Sequence, residues 1–338
     1  MVNKFTCKIC GKESFSAILP CPKCAKTEKV LEIAKVLHED IEKLETNDFI
    51  AQCSICSNNC KLKNNEFGLC KIRFAENGKI KSLVSEEKAL LHYYLDPLPT
   101  NCCNSWFCKC SKIKGYNLAL FYYTCNFSCL FCQNYEHKNI EHAKITYLSE
   151  LLEVLKRKEI KCICHFGGSP EPQIEFALNL SRKALEKRKD IVICWEWNGA
   201  GNEKLALKAA ELSYESKGTV KFDLKAWNEN LHILLTGRSN KQVLKNFENI
   251  FSKFPEVISA TTLLVPYYVD QQEVESIAKF IASFSENIPY SLLVFYPAYK
   301  LKDMPITPKS QVFACYKAAK KHLKNVHIGN LHLLFSCY

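Results

Sequence analysis

After Ser111 the chain alternates six times between a short apolar run and a longer segment with helical periodicity. The runs cover residues 116–123, 161–166, 191–196, 219–224, 257–265 and 291–296; helical patterns cover 147–158, 172–188, 203–216, 241–254, 272–284 and 308–324. Strands that alternate with helices pair in parallel, because each helix carries the chain back across the sheet before the next strand begins. With right-handed crossovers, six such units close into an open barrel or spread into a doubly wound sheet, and periodicity alone does not choose between them. In barrels the loops leaving the strands converge on one edge. Here those loops carry TCNFSCLFC, GGSPEP, WEWNG, FDLK and FYP. Polar segments at five strand ends predict one shared site.

The rest of the chain is dominated by cysteine. Of 338 residues, 20 are cysteine, and most fall into sets: Cys7/Cys10/Cys21/Cys24, Cys53/Cys56/Cys60/Cys70, Cys102/Cys103/Cys108/Cys110 and Cys125/Cys129/Cys132. Roughly one C-x-x-C is expected by chance at this abundance, and the chain has four. The N-terminus lacks the apolar core of a secretory signal, and no apolar run approaches a membrane span. A cytoplasmic chain is therefore expected, where thiols stay reduced and clustered cysteines read as metal ligands. Three units follow: residues 1–48, a cysteine ribbon and linking helix; 49–110, an irregular cysteine-rich metal-binding segment with one strand near 79–84; and 111–338, the alternating α/β region. The linking helix spans 26–46, with Val30, Ile33, Leu37, Ile41 and Leu44 at helical spacing.

Two patterns carry the clearest chemistry. Cys7-x2-Cys10 and Cys21-x2-Cys24 form paired knuckles that suit tetrahedral zinc, as in a structural zinc ribbon. Cys125-x3-Cys129-x2-Cys132 puts three thiols on the loop leaving the first strand. Thiolates are the ligands of iron–sulfur clusters, and three of them on a [4Fe–4S] cluster leave one iron open.

That motif, with Phe131 before its last cysteine, resembles the cluster loop of the radical SAM superfamily. With HFGGSPEPQ, CWEWNG, KFDLKAWNENLHILLTGRSN and FYPAYKLKDMPITP, the chain looks most like pyruvate formate-lyase activating enzymes and the radical SAM proteins of the AmmeMemoRadiSam group. The resemblance spans about residues 50–335 and implies a partial (β/α)6 TIM-like barrel. It also implies S-adenosylmethionine bound at a [4Fe–4S] cluster on Cys125, Cys129 and Cys132, and cleaved reductively to a 5′-deoxyadenosyl radical that abstracts hydrogen from a substrate. The substrate is a protein, as in glycyl-radical activation, or a small molecule. The electron would come from a one-electron donor such as ferredoxin or flavodoxin.

Residue by residue, Gly167, Gly168 and Ser169 match the segment that meets the methionine amino group, with Ser169 replacing the usual acid and supplying no charge. Glu196 and Asp223 match positions that hold a monovalent cation near the methionine carboxylate. Asn198 is a ribose contact, Lys225 a carboxylate partner, and Tyr296 stands where relatives carry a histidine. Tyr122, Tyr123, Phe166, Trp195, Trp197 and Phe295 are expected in ordinary packing more than at the barrel mouth.

Cys53-x2-Cys56-x3-Cys60-x9-Cys70 offers four further ligands for zinc or an auxiliary iron–sulfur cluster, and a similar pattern precedes the barrel in the AmmeMemoRadiSam proteins. The Cys102 set is divided evenly between a further centre and plain buried thiols, and Cys162, Cys164 and Cys194 are expected as core. The formal charge of +11 admits nucleic acid, as would a non-catalytic zinc-dependent module that binds nucleic acid or protein. Thiolates at the three motifs would lower that charge to about +6. The basic segments also interleave with apolar helix positions, so nucleic acid and a membrane are not expected partners.

Overall fold

The computed structural model describes residues 4–38, 47–100 and 102–335. The second half of the expected linking helix, with Ile41 and Leu44, lies outside the described residues, as does Cys337. One nine-stranded mixed sheet organises the chain. Its strands are β1 (Lys88–Pro97), β2 (Tyr116–Tyr122), β3 (Ile145–Tyr147), β4 (Ile160–Gly167), β5 (Val192–Trp197), β6 (Val220–Asp223), β7 (Ile258–Leu264), β8 (Tyr290–Val294) and β9 (Val326–Gly329). They lie in the order β9-β8-β7-β6-β5-β4-β2-β1-β3. The seven strands from β2 to β9 in this row run parallel, as the alternation requires, and β1 is antiparallel to β2.

The helices are α1 (Val30–Leu37), α2 (Leu148–Val154), α3 (Ile174–Lys187), α4 (Glu203–Ser216), α5 (Glu229–Thr236), α6 (Lys241–Lys253), α7 (Gln271–Ala282) and α8 (Lys309–Lys320). Sequence periodicity anticipates seven of these helices, the first half of the linking helix among them as α1, and six of the parallel strands. It misses β1, whose Ala89-Leu90-Leu91 start is buried on both faces and so shows no alternation. It also misses β9 and α5, which are only four and eight residues long. The bounds of α5 are set by side chains: Asn228 caps its start through Leu231 N–H at 3.0 Å, and Gly237 ends it in the left-handed region.

Because side chains alternate across a strand, the two sheet faces can be read separately. On one face Leu120, Tyr122, Ile163, Trp195, Phe222 and Leu292 join a continuous core with Phe176, Ala206, Phe247 and Ile277 of the helices. The opposite face is unlike it. Register sets Asn117 beside Cys162, Cys164 beside Cys194, Glu196 beside Lys221, and Asp223 beside Thr261, giving a polar, thiol-rich surface.

Residues 102–112 cover the N-terminal half of that polar face. Asn104 donates to Thr219 Oγ1 at 3.3 Å and Ser259 Oγ at 3.0 Å. Trp106 donates to Ser291 Oγ at 3.0 Å and stacks on His327. With one half of the face plugged, the C-terminal half is left open.

The N-terminal modules dock on this body. Ser14 Oγ lies 3.1 Å from the Tyr268 hydroxyl, which donates to Pro20 O at 2.7 Å, and Lys26 pairs with Asp270 at 2.9 Å. Residues 47–84 form two short antiparallel ladders, and Asn58 donates to Asn126 O at 2.8 Å. Among the described residues no helix is long and apolar enough to cross a membrane.

Candidate active site

The open half of the polar face is a cavity of about 290 Å³. Cys125, Cys129 and Cys132 line it from the loop that leaves β2. Thr124 turns the chain into that loop with φ of +68°, an uncommon strain for a β-branched residue. The far end of the loop rests on α5: Ser128 N–H donates to Thr236 O and Leu130 N–H to Leu235 O, both at 2.9 Å. Terminal helix carbonyls lack intrahelical partners, so this contact satisfies both elements at once. Burial pushes the Cys125 thiol up to about 12 and raises Cys129 as well. Such thiols ionise readily only when a cation replaces the proton.

The second wall is Gly167-Gly168. At Gly167, φ is +107° and a Cβ would stand 2.7 Å from the Tyr122 nitrogen; at Gly168 it would stand 1.9 Å from the Thr124 carbonyl oxygen. Only glycine lets these backbones approach. Ser169 lies just behind, 1% exposed, and does not line the cavity. Its hydroxyl donates to the Glu171 carboxylate, and Asn198 Nδ2 reaches Ser169 Oγ at 3.1 Å and Asn126 Oδ1 at 2.6 Å. The acid missing at Ser169 thus stands two residues later, as Glu171, which also accepts from Gly199 N–H at 2.9 Å.

Burial pushes the Glu171 carboxyl up to about 7 from its ordinary 4.5. A raised carboxyl stabilises the fold fully below the unfolded value, and that stabilisation is lost as pH rises through the folded value. The difference corresponds to about 3 kcal/mol. Buried His38, His165 and His232, whose values burial lowers, make stability rise with pH over part of the same window. The Glu171 contribution is therefore read as a difference: in urea titrations Glu171→Gln is expected to gain stability relative to the wild type as pH rises from 4.5 to 7. Identical pH dependence of the two proteins would exclude the Glu171 contribution.

The third wall is electrostatic. Lys221, 6% exposed, donates to Glu196 at 2.8 Å and lies 3.7 Å from Asp223; Lys225 donates to Asp223 at 3.2 Å. Burial alone would raise the Asp223 carboxyl, but Lys225 and Lys221 hold it below the usual range. The positive charge between Glu196 and Asp223 is therefore a lysine of the chain itself. Lys225 also stands over the Phe131 ring, 5.6 Å from its centre.

Phe131, Gly167, Gly168, Glu196, Asn198, Asp223 and Lys225 all line the cavity with the three cysteines. Tyr296 does not, and is 43% exposed. Phe166 and Trp197 also line it, whereas Tyr122, Trp195 and Phe295 are fully buried in the core. Sequence reasoning missed Lys221, although it sits two residues before Asp223 and must share its face. It also did not single out Thr124 and Glu171, although both lie in the strand-end segments TCNFSCLFC and GGSPEP, nor Asn330.

The other cysteine sets differ in spacing. The thiols of Cys7, Cys10, Cys21 and Cys24 lie within 4.8 Å of one another, with Cys10 and Cys21 at 3.6 Å. Cys53, Cys56, Cys60 and Cys70 are all buried and sense one another's charge, but among the described residues they do not converge that tightly.

Residues 120–281 match the model of the radical SAM superfamily. Over 212 residues the chain is 28% identical to a Methanocaldococcus jannaschii protein, MJ1632, named as a candidate glycyl-radical enzyme activating enzyme; the match covers 62% of this chain and 79% of that one. It is 28% identical over 308 residues to MJ0808 of the same organism, covering 86% and 84% of the two chains. The isethionate sulfite-lyase activating enzyme of Desulfovibrio desulfuricans is 32% identical over 133 residues, 38% of this chain and 40% of that one. With the cysteine loop and glycine wall lying inside the matched span, the chain carries a radical SAM domain and is an enzyme of that class, similar to glycyl-radical activating enzymes.

Proposed function

We propose that the chain binds S-adenosylmethionine on a [4Fe–4S] cluster held by Cys125, Cys129 and Cys132, and uses it to abstract hydrogen from a protein substrate. The observation that carries this is the meeting of three thiols from one loop with a glycine wall that admits no side chain, in one cavity of about 290 Å³. The all-sulfur donor set fits an iron–sulfur cluster. Thr124 and Trp197, which also wall the cavity, each have a buried polar atom without a protein partner. When bound, the cluster and S-adenosylmethionine supply one-electron cleavage to a 5′-deoxyadenosyl radical.

The chain's own residues do the rest. The bare backbone of Gly167 and Gly168 allows close approach of the methionine amino group, and Asn198, whose amide is shared with Asn126 and Ser169, would meet a ribose hydroxyl. Lys221 and Lys225 present charge to a carboxylate. Phe131, Phe166 and Trp197 narrow the space open to water. The lining of one cavity by residues of all five strands from β4 to β8 supports a partial (β/α)6 barrel. A protein substrate is supported by the names of the relatives, which are activating enzymes of other enzymes.

The test is anaerobic incubation of the full chain with dithionite and S-adenosylmethionine. Formation of 5′-deoxyadenosine is expected, and its absence from protein with intact iron and sulfide would overturn the proposal.

The tight Cys7/Cys10/Cys21/Cys24 set fits one zinc in a structural ribbon, since tetrahedral Zn–S bonds of about 2.3 Å bring sulfurs close together. Cys53, Cys56, Cys60 and Cys70 would hold a second thiolate-bound centre, zinc or an auxiliary iron–sulfur cluster. Cys21→Ser is expected to lose one zinc per chain by elemental analysis, with iron unchanged. Retention of all zinc would remove the ribbon assignment.

A further inference from the structure

Below the candidate active site, on the polar face of the sheet, lies a second concentration of sulfur. Cys162 and Cys164 are two residues apart on β4, and Cys194 on β5 pairs directly with Cys164. All three therefore point to the face opposite the helices. The plug brings two more: Cys108 opens the short 3-10 turn Lys109–Lys112, and Cys110 lies within it. The charge state of Cys108 is set first by the Cys110 and Cys194 thiols, and that of Cys110 by Cys108 and Cys162, so the four are neighbours, although no three of them lie within 4.8 Å of one another. Three segments distant in sequence thus deliver a connected run of four thiols.

Ordinary core packing does not account for this group. Cys108, Cys110, Cys162, Cys164 and Cys194 make up most of a small apolar cluster separate from the main core, completed by Leu98, Phe166 and Val192. Buried strand positions usually draw on Val, Ile and aromatic residues for their packing. The surroundings are also polar: Cys162 reaches Asn117 Oδ1 at 3.3 Å, and the thiols line a cavity of about 340 Å³ with Asp96, Asn104 and Glu196. Phe166, Glu196, Gln133 and Asn134 wall both this cavity and the candidate active site.

We propose that Cys108, Cys110, Cys162 and Cys194 ligate a thiophilic metal centre inside the sheet's polar face. The donor set is sulfur alone, which selects zinc, cuprous copper or an iron–sulfur cluster over magnesium or calcium. Binding exchanges thiol protons for the metal, with no change in oxidation state. The neighbouring Cys102, Cys103 and Glu196 also lie within 4.8 Å of one another. There the carboxylate already holds Lys221 at 2.8 Å and Cys102 at 2.6 Å, so a cation is present without a metal. The centre would form the floor beneath the cavity in which the substrate meets S-adenosylmethionine.

The experiment counts metal, not turnover. The full chain and three variants, Cys162→Ser/Cys194→Ser, Cys108→Ser/Cys110→Ser and the remote core control Cys315→Ser, are purified anaerobically and reconstituted with iron and sulfide or with zinc. Each is made also in a Cys125→Ala/Cys129→Ala/Cys132→Ala background, so that the active-site cluster contributes nothing. Both double variants are expected to bind at least one metal ion fewer per chain than their parent in iron or zinc, while Cys315→Ser matches it. Circular dichroism checks folding. If the strand variant does not fold, the plug variant, which leaves every strand of the sheet unaltered, decides the matter. Folded variants that keep the parent's metal content would overturn the proposal.

Discussion

Replacing Cys129 by alanine is expected to abolish reductive formation of 5′-deoxyadenosine, by more than about 1,000-fold, a conservative floor given the million-fold or greater acceleration typical of enzymes. Cys129 is the middle thiol of the loop, 8% exposed, and the charge of Lys225 acts on it. The backbone around it is held elsewhere, by the carbonyls at the end of α5. Loss of the thiol should therefore leave the loop in place and remove only a ligand. Iron and sulfide analysis with product chromatography checks both halves of the expectation. A folded Cys129→Ala chain with wild-type turnover would sink the assignment of this loop to the cluster.

The second large effect concerns stability. Lys221→Met is expected to cost about 3–5 kcal/mol, because removing one partner of a buried ion pair strands the other. The side chains of Lys221 and Glu196 are 8% and 18% exposed, and their contact is 2.8 Å. Burial works against the lysine's charge, but Cys103, Glu196 and Asp223 around it keep its proton bound far above the ordinary range. Adding Glu196→Gln to Lys221→Met should recover much of the loss, since a neutral amide needs no counter-charge. Urea unfolding of the two single variants and the double supplies the cycle. Additive losses would show that the pair does not couple the two strands.

Much of this arrangement was legible in the sequence, and the reason is period. The parallel strands and their helices announce themselves by alternating 2.0- and 3.6-residue patterns, and the cluster loop by fixed cysteine spacing. Cys125, Gly168, Asp223 and Lys225 could be found because each ends or follows a strand that could be found. What failed was whatever lacked a pattern. β1 is buried at its start on both sides and reads as a featureless apolar run. The plug at residues 102–112 has no periodicity, because its side chains serve strands β4 to β9 in turn. Without it, Cys162 and Cys194 look like isolated core residues. Glu171 was invisible because its role rests on Ser169 and Gly199, contacts that appear only when the β4 and β5 loops are brought together.

The hold of α5 on the cysteine loop also orders events during synthesis. Leu130 and Ser128 find their partners in Leu235 and Thr236, about a hundred residues further along the chain. At about 5–20 residues per second, a ribosome makes that stretch in roughly 5–20 seconds. For that interval the three thiols are already made but their loop has nothing to rest on. If the proposed cluster is built on this loop, iron delivered to the nascent chain would meet an unsupported peptide, and insertion would belong after α5 has emerged and docked.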